Sequence, residues 1–313
     1  VTGYIIRRLG QAVIVLIGVT IIVFILRSLL PGSIARAIMG PRAGTAAIAA
    51  FNRANGLDRP LPLQYVSFLN QLVHGDLGWS FKQNMSVDAL VLHDLPNDLL
   101  LVGVSLVLAL AIAIPLGVVQ AVRRNKVTDY AATGISFILY SMPAYLLGLL
   151  LIAALAVDNR LLPATTTAST IGGVLANPNA LILPIVTLTL VTCALFSRYM
   201  RSSAIDNLAQ DYIRTARAKG LGQRAILFRH LLRNSLIPVA TLIGISIPGI
   251  LTYGLIIEQL FNFPGVGLAY YNGAVNGDYP VVFGVTVLVA LATVIGNLLA
   301  DIAYAVLDPR VTL

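Results

Sequence analysis

Charge is scarce in this chain. Only 11% of its 313 residues are Asp, Glu, Lys or Arg, against about 25% in soluble globular domains. A sequence that is also 58% hydrophobic has too little polar surface to cover itself in water. This excludes an ordinary soluble domain and points to an integral membrane protein. Cysteine is scarcer still. Cys193 has no second cysteine to pair with, which excludes an intrachain disulfide framework and a Cys-based metal site. Its position in an apolar run suits a small packing residue. Histidine is limited to three residues, and His74 and His93 have no companions at ligand spacing, so no metal site is expected. Also missing are a Gly-x4-Gly-Lys-[Ser/Thr] loop, a Glu-flanked His pair and a Gly-x-Ser-x-Gly elbow. The chain therefore has no motif to cradle ATP phosphates and no assembled hydrolase nucleophile.

Long apolar runs are what the sequence does have. A spanning helix needs about 20 apolar residues, because 1.5 Å per residue must cross about 30 Å of hydrocarbon. Six segments qualify, near Gly10–Leu30, Leu99–Val122, Ala131–Val157, Leu181–Met200, Pro238–Leu260 and Val281–Val306. The first is too long for the apolar core of a cleaved signal and is read as a retained helix. Strand alternation of the membrane-barrel kind is absent. The expectation is an all-α polytopic membrane protein with six transmembrane helices.

Basic residues outnumber acidic ones by 21 to 13. They cluster after the second span (Arg123, Arg124, Lys126) and between the fourth and fifth (from Arg198 to Arg233). The loop after the fifth span has no Lys or Arg. The positive-inside rule then puts both termini in the cytoplasm. A net charge of +8 reads as such anchoring, without nucleic acid. The domains expected are residues 1–30, the N-terminus with helix 1; 31–98, an external segment; 99–306, helices 2–6 with a cytoplasmic loop at 201–237; and 307–313, a cytoplasmic tail. In the external segment, "LPLQYVSFLNQLVHG" sets Leu63, Val66, Leu69 and Val73 near one helical face, so that segment is small and partly helical. Trp79 and Tyr65 suit an interfacial belt or a protein contact.

The loop at 201–237 is the unusual feature. Asn207 is a candidate helix N-cap. Leu208, Ala209, Tyr212, Ile213 and Ala216 share one face, opposite Asp211, Arg214 and Arg217. Gly220 and Gly222 supply stop positions where positive φ is cheap. A second short helix after the glycine break sets Leu227, Phe228, Leu231 and Leu232 against Arg229, His230 and Arg233. Composition leaves two readings open, a basic helix resting on anionic lipid and a docking element for a cytoplasmic partner. Elsewhere, Gly244, Pro248, Gly249 and Gly254 loosen the fifth helix or let it pack closely. Glu258 and Asn297, polar within spans, are read either as functional or as structural hydrogen-bonding groups. Asp301 reads as structural, paired with Arg310 or a basic loop.

"RTARAKGL" followed by "RHLLRNSLIPV" resembles the cytoplasmic coupling loop of permease subunits of ATP-binding-cassette importers. Arg214 stands where the broader family has Glu, as in the peptide and nickel branch. "GLDRPLPLQYVSFLNQLVHGDLGWS", with Gly75-Asp76-Leu77-Gly78, "EQLFNFPGVG" and "NLLADIAYAVLDPRV" resemble the same branch, in order along the chain. The long external segment resembles the B-type member of a permease pair. The resemblance implies a type I importer permease fold and a non-catalytic subunit that moves di- or oligopeptides; nickel, metal chelates or other small solutes are the alternative cargo within it. It implies a heterodimer with a second homologous permease, two ATPase subunits or domains carrying ATP and Mg2+, an external substrate-binding protein, and membrane lipid around a bacterial or archaeal inner membrane subunit. No cofactor is expected on this chain. The implied ATPase-coupling residues are Asp211, Tyr212, Arg214, Thr215, Ala216, Arg217, Ala218, Lys219, Gly220 and Leu221. Pathway or gate candidates are Pro248, Gly249, Tyr253, Glu258 and Asn297. Binding-protein contacts are Asp76, Leu77 and Trp79. The competing class is an ion-gradient-driven carrier or channel. Such a protein usually needs acidic or His relays at mid-membrane, and these spans are nearly bare of them.

Overall fold

The computed structural model describes the backbone at residues 2–29, 35–36, 39–40, 42–80 and 82–307. Within that range the side chains at 2–5, 241, 245–253 and 299–307 lie outside the description. The chain runs through α1 (Thr2–Ser28), α2 (Thr45–Ala54), α3 (Leu61–Val73), β1 (Trp79–Ser80), β2 (Met85–Ser86) and α4 (Val87–Val122). It continues with α5 (Val127–Ser141), α6 (Ala144–Leu151), α7 (Ile171–Ala176), α8 (Asn179–Leu208) and α9 (Asp211–Ala218). The last elements are α10 (Arg233–Phe261), α11 (Val266–Asn276) and α12 (Tyr279–Leu307). The two short strands pair antiparallel, Trp79 with Ser86 and Ser80 with Met85.

Backbone groups in lipid have no water to bond, so apolar runs close their hydrogen bonds as helices. Among the described residues, five helical stretches are long and apolar enough to cross a membrane. They are Ile6–Ser28, Val87–Val122, Asn179–Leu208, Gln223–Gly244 and Tyr279–Leu298. A sixth exists if Val127–Ser141 and Ala144–Asp158 count as one span. That third span is not the straight helix expected from Ala131 to Val157, because it bends by 104°. Pro143 is the cause. Its ring disfavours the helical region at the preceding residue, and Met142 takes φ −81°, ψ 129°. The span then ends in a π-helical turn, Ile152–Asp158. The second span also begins earlier than expected, at Val87 instead of Leu99. Val87, Leu90 and Val91 are buried at helical spacing, so packing carries the helix through Asp94 and Pro96.

The chain divides into two compact units, Val1–Pro96 with Pro264–Leu298, and Asn97–Phe263 with Leu299–Leu313. In the first, α3 lies along α1. Tyr65 meets Phe24 edge-on at 5.3 Å between ring centroids, and its hydroxyl is 3.0 Å from Thr20 Oγ1. Leu90 and Val91 of α4 join Val266 of α11 and Val285 of α12 in one apolar cluster. Ser80 donates to Asp278 at 2.5 Å, and Lys82 to the carbonyl of Asn276, fixing the hairpin to the α11–α12 turn.

In the second unit α8 is the buried helix, with Leu183, Leu188, Phe196 and Met200 almost fully enclosed. Cys193 packs there among Ala109, Phe196 and Met200. Gly117 of α4 lies at a close approach to the α8 backbone. A Cβ at that position would fall 2.7 Å from Met200 Cβ and 2.8 Å from the Ser197 carbonyl oxygen. Gly117→Ala therefore forces α4 away from α8. It should cost about 1–3 kcal/mol, as overpacking does, read as a lowered thermal unfolding midpoint of the purified chain in detergent.

Candidate functional site

The cytoplasmic-loop candidates assemble around α9. Ile213 and Ala216 are buried and pack with Ala121 of α4, Ala204 of α8, and Ile226 and Leu231 of the segment leading into α10. Tyr212 is half-buried, and its hydroxyl donates to Asn207 Oδ1 at 2.6 Å. Burial pushes the Tyr212 phenol above its ordinary pKa, which keeps that donor protonated. Asp211, Arg214, Thr215, Arg217, Ala218, Lys219, Gly220 and Leu221 are all exposed. Ala216 thus seats the helix while the charged face stays free. Asp211 and Arg214 form an exposed pair at 3.4 Å, of the kind worth only a few tenths of a kcal/mol. Beside the helix, Arg217, Leu221, Ile226 and Leu227 border a cavity of about 470 Å3.

The end of α9 is set by Gly220 at φ +74°. Leu221 N–H donates to the Ala216 carbonyl at 3.2 Å and Gly220 N–H to that of Arg217 at 2.9 Å, the paired bonds of a Schellman motif. No neighbour lies within 4 Å of a Cβ built at Gly220, so Gly220→Ala meets only the left-handed backbone cost of about 1–2 kcal/mol.

Three local expectations change. Asn207 does not cap α9; it lies in the last turn of α8, and Gln210 is the N-cap, in extended conformation. Helical bonding in α8 simply runs further than the capping pattern suggested. Gly222 is extended, at φ −63°, so one positive-φ glycine suffices for the break. The second stretch is not a separate short helix. It starts with the turn Gln223–Ala225 and passes through a π-helical turn, Ile226–Leu232, directly into α10. The wider turn changes the helical phase: Leu231 is buried, whereas Phe228 is 71% exposed.

Next to this seat lies a contact that sequence reading missed. Asp129 of α5 is 1% exposed and accepts from Arg201 Nε at 2.7 Å and Nη2 at 2.8 Å. The Asn125 N–H and the Thr133 hydroxyl add bonds at 3.0 and 3.3 Å. Arg198, one turn earlier on α8, lies over the Tyr140 ring at 4.6 Å. The available signal was an acidic residue in the first turn of an apolar helix. Its partner, 72 positions away, carried none.

Pro248, Gly249 and Tyr253 lie within α10, with side chains outside the described residues. Asn297 is exposed on α12. Glu258 is 2% exposed, and its Oε1 lies 3.3 Å from where a Cβ on Gly254 would be. Its backbone carbonyl accepts from Phe263 N–H at 2.8 Å, while Asn262 takes a left-handed conformation, φ 48°. Asn262 in turn donates to the Thr166 carbonyl at 3.1 Å. Glu258 therefore anchors the start of the "FNFPGVG" loop through its main chain. The side chain of Asp301, and Arg310 altogether, lie outside the described residues.

Of the outer candidates, Asp76 and Trp79 are exposed and Leu77 is half-buried. Gly75 and Gly78 have φ +80° and +104°, and Asp76 Oδ1 accepts from Gly78 N–H at 2.8 Å. The Gly-Asp-Leu-Gly sequence is thus a turn that needs both glycines. His74 is bonded to the Asn70 carbonyl and His93 to Asp94.

Residues 113–313 match the model of the binding-protein-dependent transport system inner membrane component, and residues 1–102 match its N-terminal companion. The chain is 40% identical over 312 residues to the oligopeptide transport system permease protein AppB of Bacillus subtilis (strain 168), covering 99% of each. It is 35% identical to the dipeptide transport system permease protein DppB of the same organism, covering 99% of this chain and 98% of the relative. It is also 34% identical to the glutathione transport system permease protein GsiC of Salmonella typhi, with the same coverage. Among solved structures, a chain of the inward-facing MetNI methionine ABC transporter superposes with a TM-score of 0.54 at 20% identity, covering 70% of this chain and 96% of that one. At that identity the likeness speaks for the fold.

Proposed function

The chain belongs to the inner membrane components of binding-protein-dependent transport systems, and from that premise we propose that it is the B-type permease subunit of an ATP-driven importer of di- or oligopeptides. Its named relatives carry oligopeptides, dipeptides and glutathione. It is a non-catalytic subunit, and a binding-protein-dependent system implies an ATPase and a binding protein as partners. The fuller assembly is a heterodimer with a second homologous permease, two ATPase subunits or domains holding ATP and Mg2+, and an external binding protein that meets Asp76, Leu77 and Trp79. This chain supplies half of the pathway, with Pro248, Gly249, Tyr253, Glu258 and Asn297 as its gate candidates. Both termini face the cytoplasm, residues 31–98 lie outside, and the loop 201–237 lies inside.

The observation that carries this reading is the orientation of α9. A helix resting on lipid turns its apolar face outward; α9 turns Ile213 and Ala216 inward and its basic face outward. Such a protrusion suits a socket on a partner protein. Because its inner face is packed against α4, α8 and the π-helical turn leading into α10, a push on α9 is transmitted to several spans together. Packed helices shift as bodies and do not deform continuously, so ATPase closure would switch the pathway between outward- and inward-facing states.

Reconstitution tests the reading. Vesicles holding both permeases, the ATPases and the binding protein should take up peptide only with ATP. Uptake by this chain alone, driven by an ion gradient, would contradict it.

A further inference from the structure

Arg27 lies one residue from the last residue of α1 and its guanidinium stands 5.8 Å from the Phe68 ring centroid of α3. Arg53, in the last turn of α2, and Arg59, before α3, border the same cavity of about 300 Å3. Asn55 and Gln71 add amide groups, and no carboxylate lines it. Among the described residues none of the three arginines forms an ion pair. The adjoining cavity, about 480 Å3, shares Arg27 and holds the acidic side chains, Asp76 and Asp88. An anion is therefore directed to the arginine end.

Three guanidiniums without a counter-charge suit a phosphate, which accepts from Arg in bidentate fashion. The site's level indicates where that phosphate comes from. Below Arg27, Ile25, Ile21 and Ile17 are exposed along α1, the pattern of a lipid-facing helix. One leaflet is about 15 Å deep, or roughly ten helical residues at 1.5 Å each. An acyl chain reaching inward from the level of Arg27 would therefore extend to about the depth of Ile17.

We propose that the cavity walled by Arg27, Arg53 and Arg59 binds the phosphate headgroup of an anionic phospholipid, whose acyl chain lies along α1. A bound lipid would fill the space between α1 and the helices α2 and α3, bracing the external segment against its anchor helix.

The test is lipid retention by the full chain in nanodiscs of mixed phosphatidylglycerol and phosphatidylcholine, read by native mass spectrometry. Wild type should retain phosphatidylglycerol over phosphatidylcholine by roughly tenfold or more. Arg27→Gln/Arg53→Gln/Arg59→Gln should abolish the preference. Arg53→Gln and Arg59→Gln alone, at exposed positions that do not threaten folding, should each lower it severalfold. Equal retention of both lipids by wild type, or undiminished preference in all three variants, would overturn the proposal. So would displacement of the lipid by excess inorganic phosphate, which would mark a free-anion site, or by a short peptide in an arginine-dependent way, which would mark a peptide carboxylate site.

Discussion

A chain with Arg214→Glu and Arg217→Glu is expected to insert all its spans, assemble with the proposed second permease, and yet lose peptide uptake per ATP hydrolysed by roughly tenfold or more. Both side chains are exposed, so the folded chain should change by less than about 0.5 kcal/mol. Opposed to a complementary surface, two reversed charges cost a few kcal/mol of docking, and each 1.4 kcal/mol is about tenfold. Gly220→Pro should produce the same uncoupling by a different route. Proline holds φ near −65°, whereas the end of α9 needs +74° there; the Schellman bonds would be lost and the helix re-aimed. Parallel assays of ATP hydrolysis and uptake in proteoliposomes check both. Full coupling in either variant would argue against docking on this face.

The second large effect concerns Asp129 and Arg201. Arg201→Ala would leave a carboxylate that is 1% exposed without its cation, and removing one partner of a buried pair typically costs about 3–5 kcal/mol. Asp129→Leu with Arg201→Met removes both charges and should recover most of that loss, since replacing a buried pair by apolar groups is often near neutral. Denaturation of the detergent-purified chain measures the cycle. A single-variant cost below about 1 kcal/mol would place the pair with ordinary surface ion pairs. Because Asp129 and Arg201 tie α5 to α8 close to where Ala204 meets α9, the single variant should also couple poorly even where it folds.

The spans were legible in the sequence because lipid leaves an apolar run no alternative to the helix. The break at Met142–Pro143 was readable in principle, since proline restricts its predecessor, but the apolar run on either side masked it. The π-helical turn at Ile226–Leu232 was not legible. Its phase change appears only as Phe228 facing out while Leu231 faces in, and periodicity counted at 100° per residue puts the two together. At α9 the inward face was readable from Ile213 and Ala216, and the stop from Gly220. The N-cap was misplaced because Asn207 satisfies a local capping pattern that helix α8 overrides by continuing. Asp129–Arg201 and the three arginines around the α1 cavity join distant parts of the sequence, and no local pattern announces such contacts.

One labelling measurement bears on the central claim that α9 is a cytoplasmic lever moved by an ATPase. Cys193 is the chain's single cysteine and is buried, so Cys193→Ala clears the background for Lys219→Cys at an exposed position. A membrane-impermeant thiol reagent should label that position in inside-out vesicles and spare it in intact cells, and the assembled ATPase should shield it and cross-link to it. Labelling from the outside of intact cells, or reactivity unchanged by the ATPase, would contradict the account.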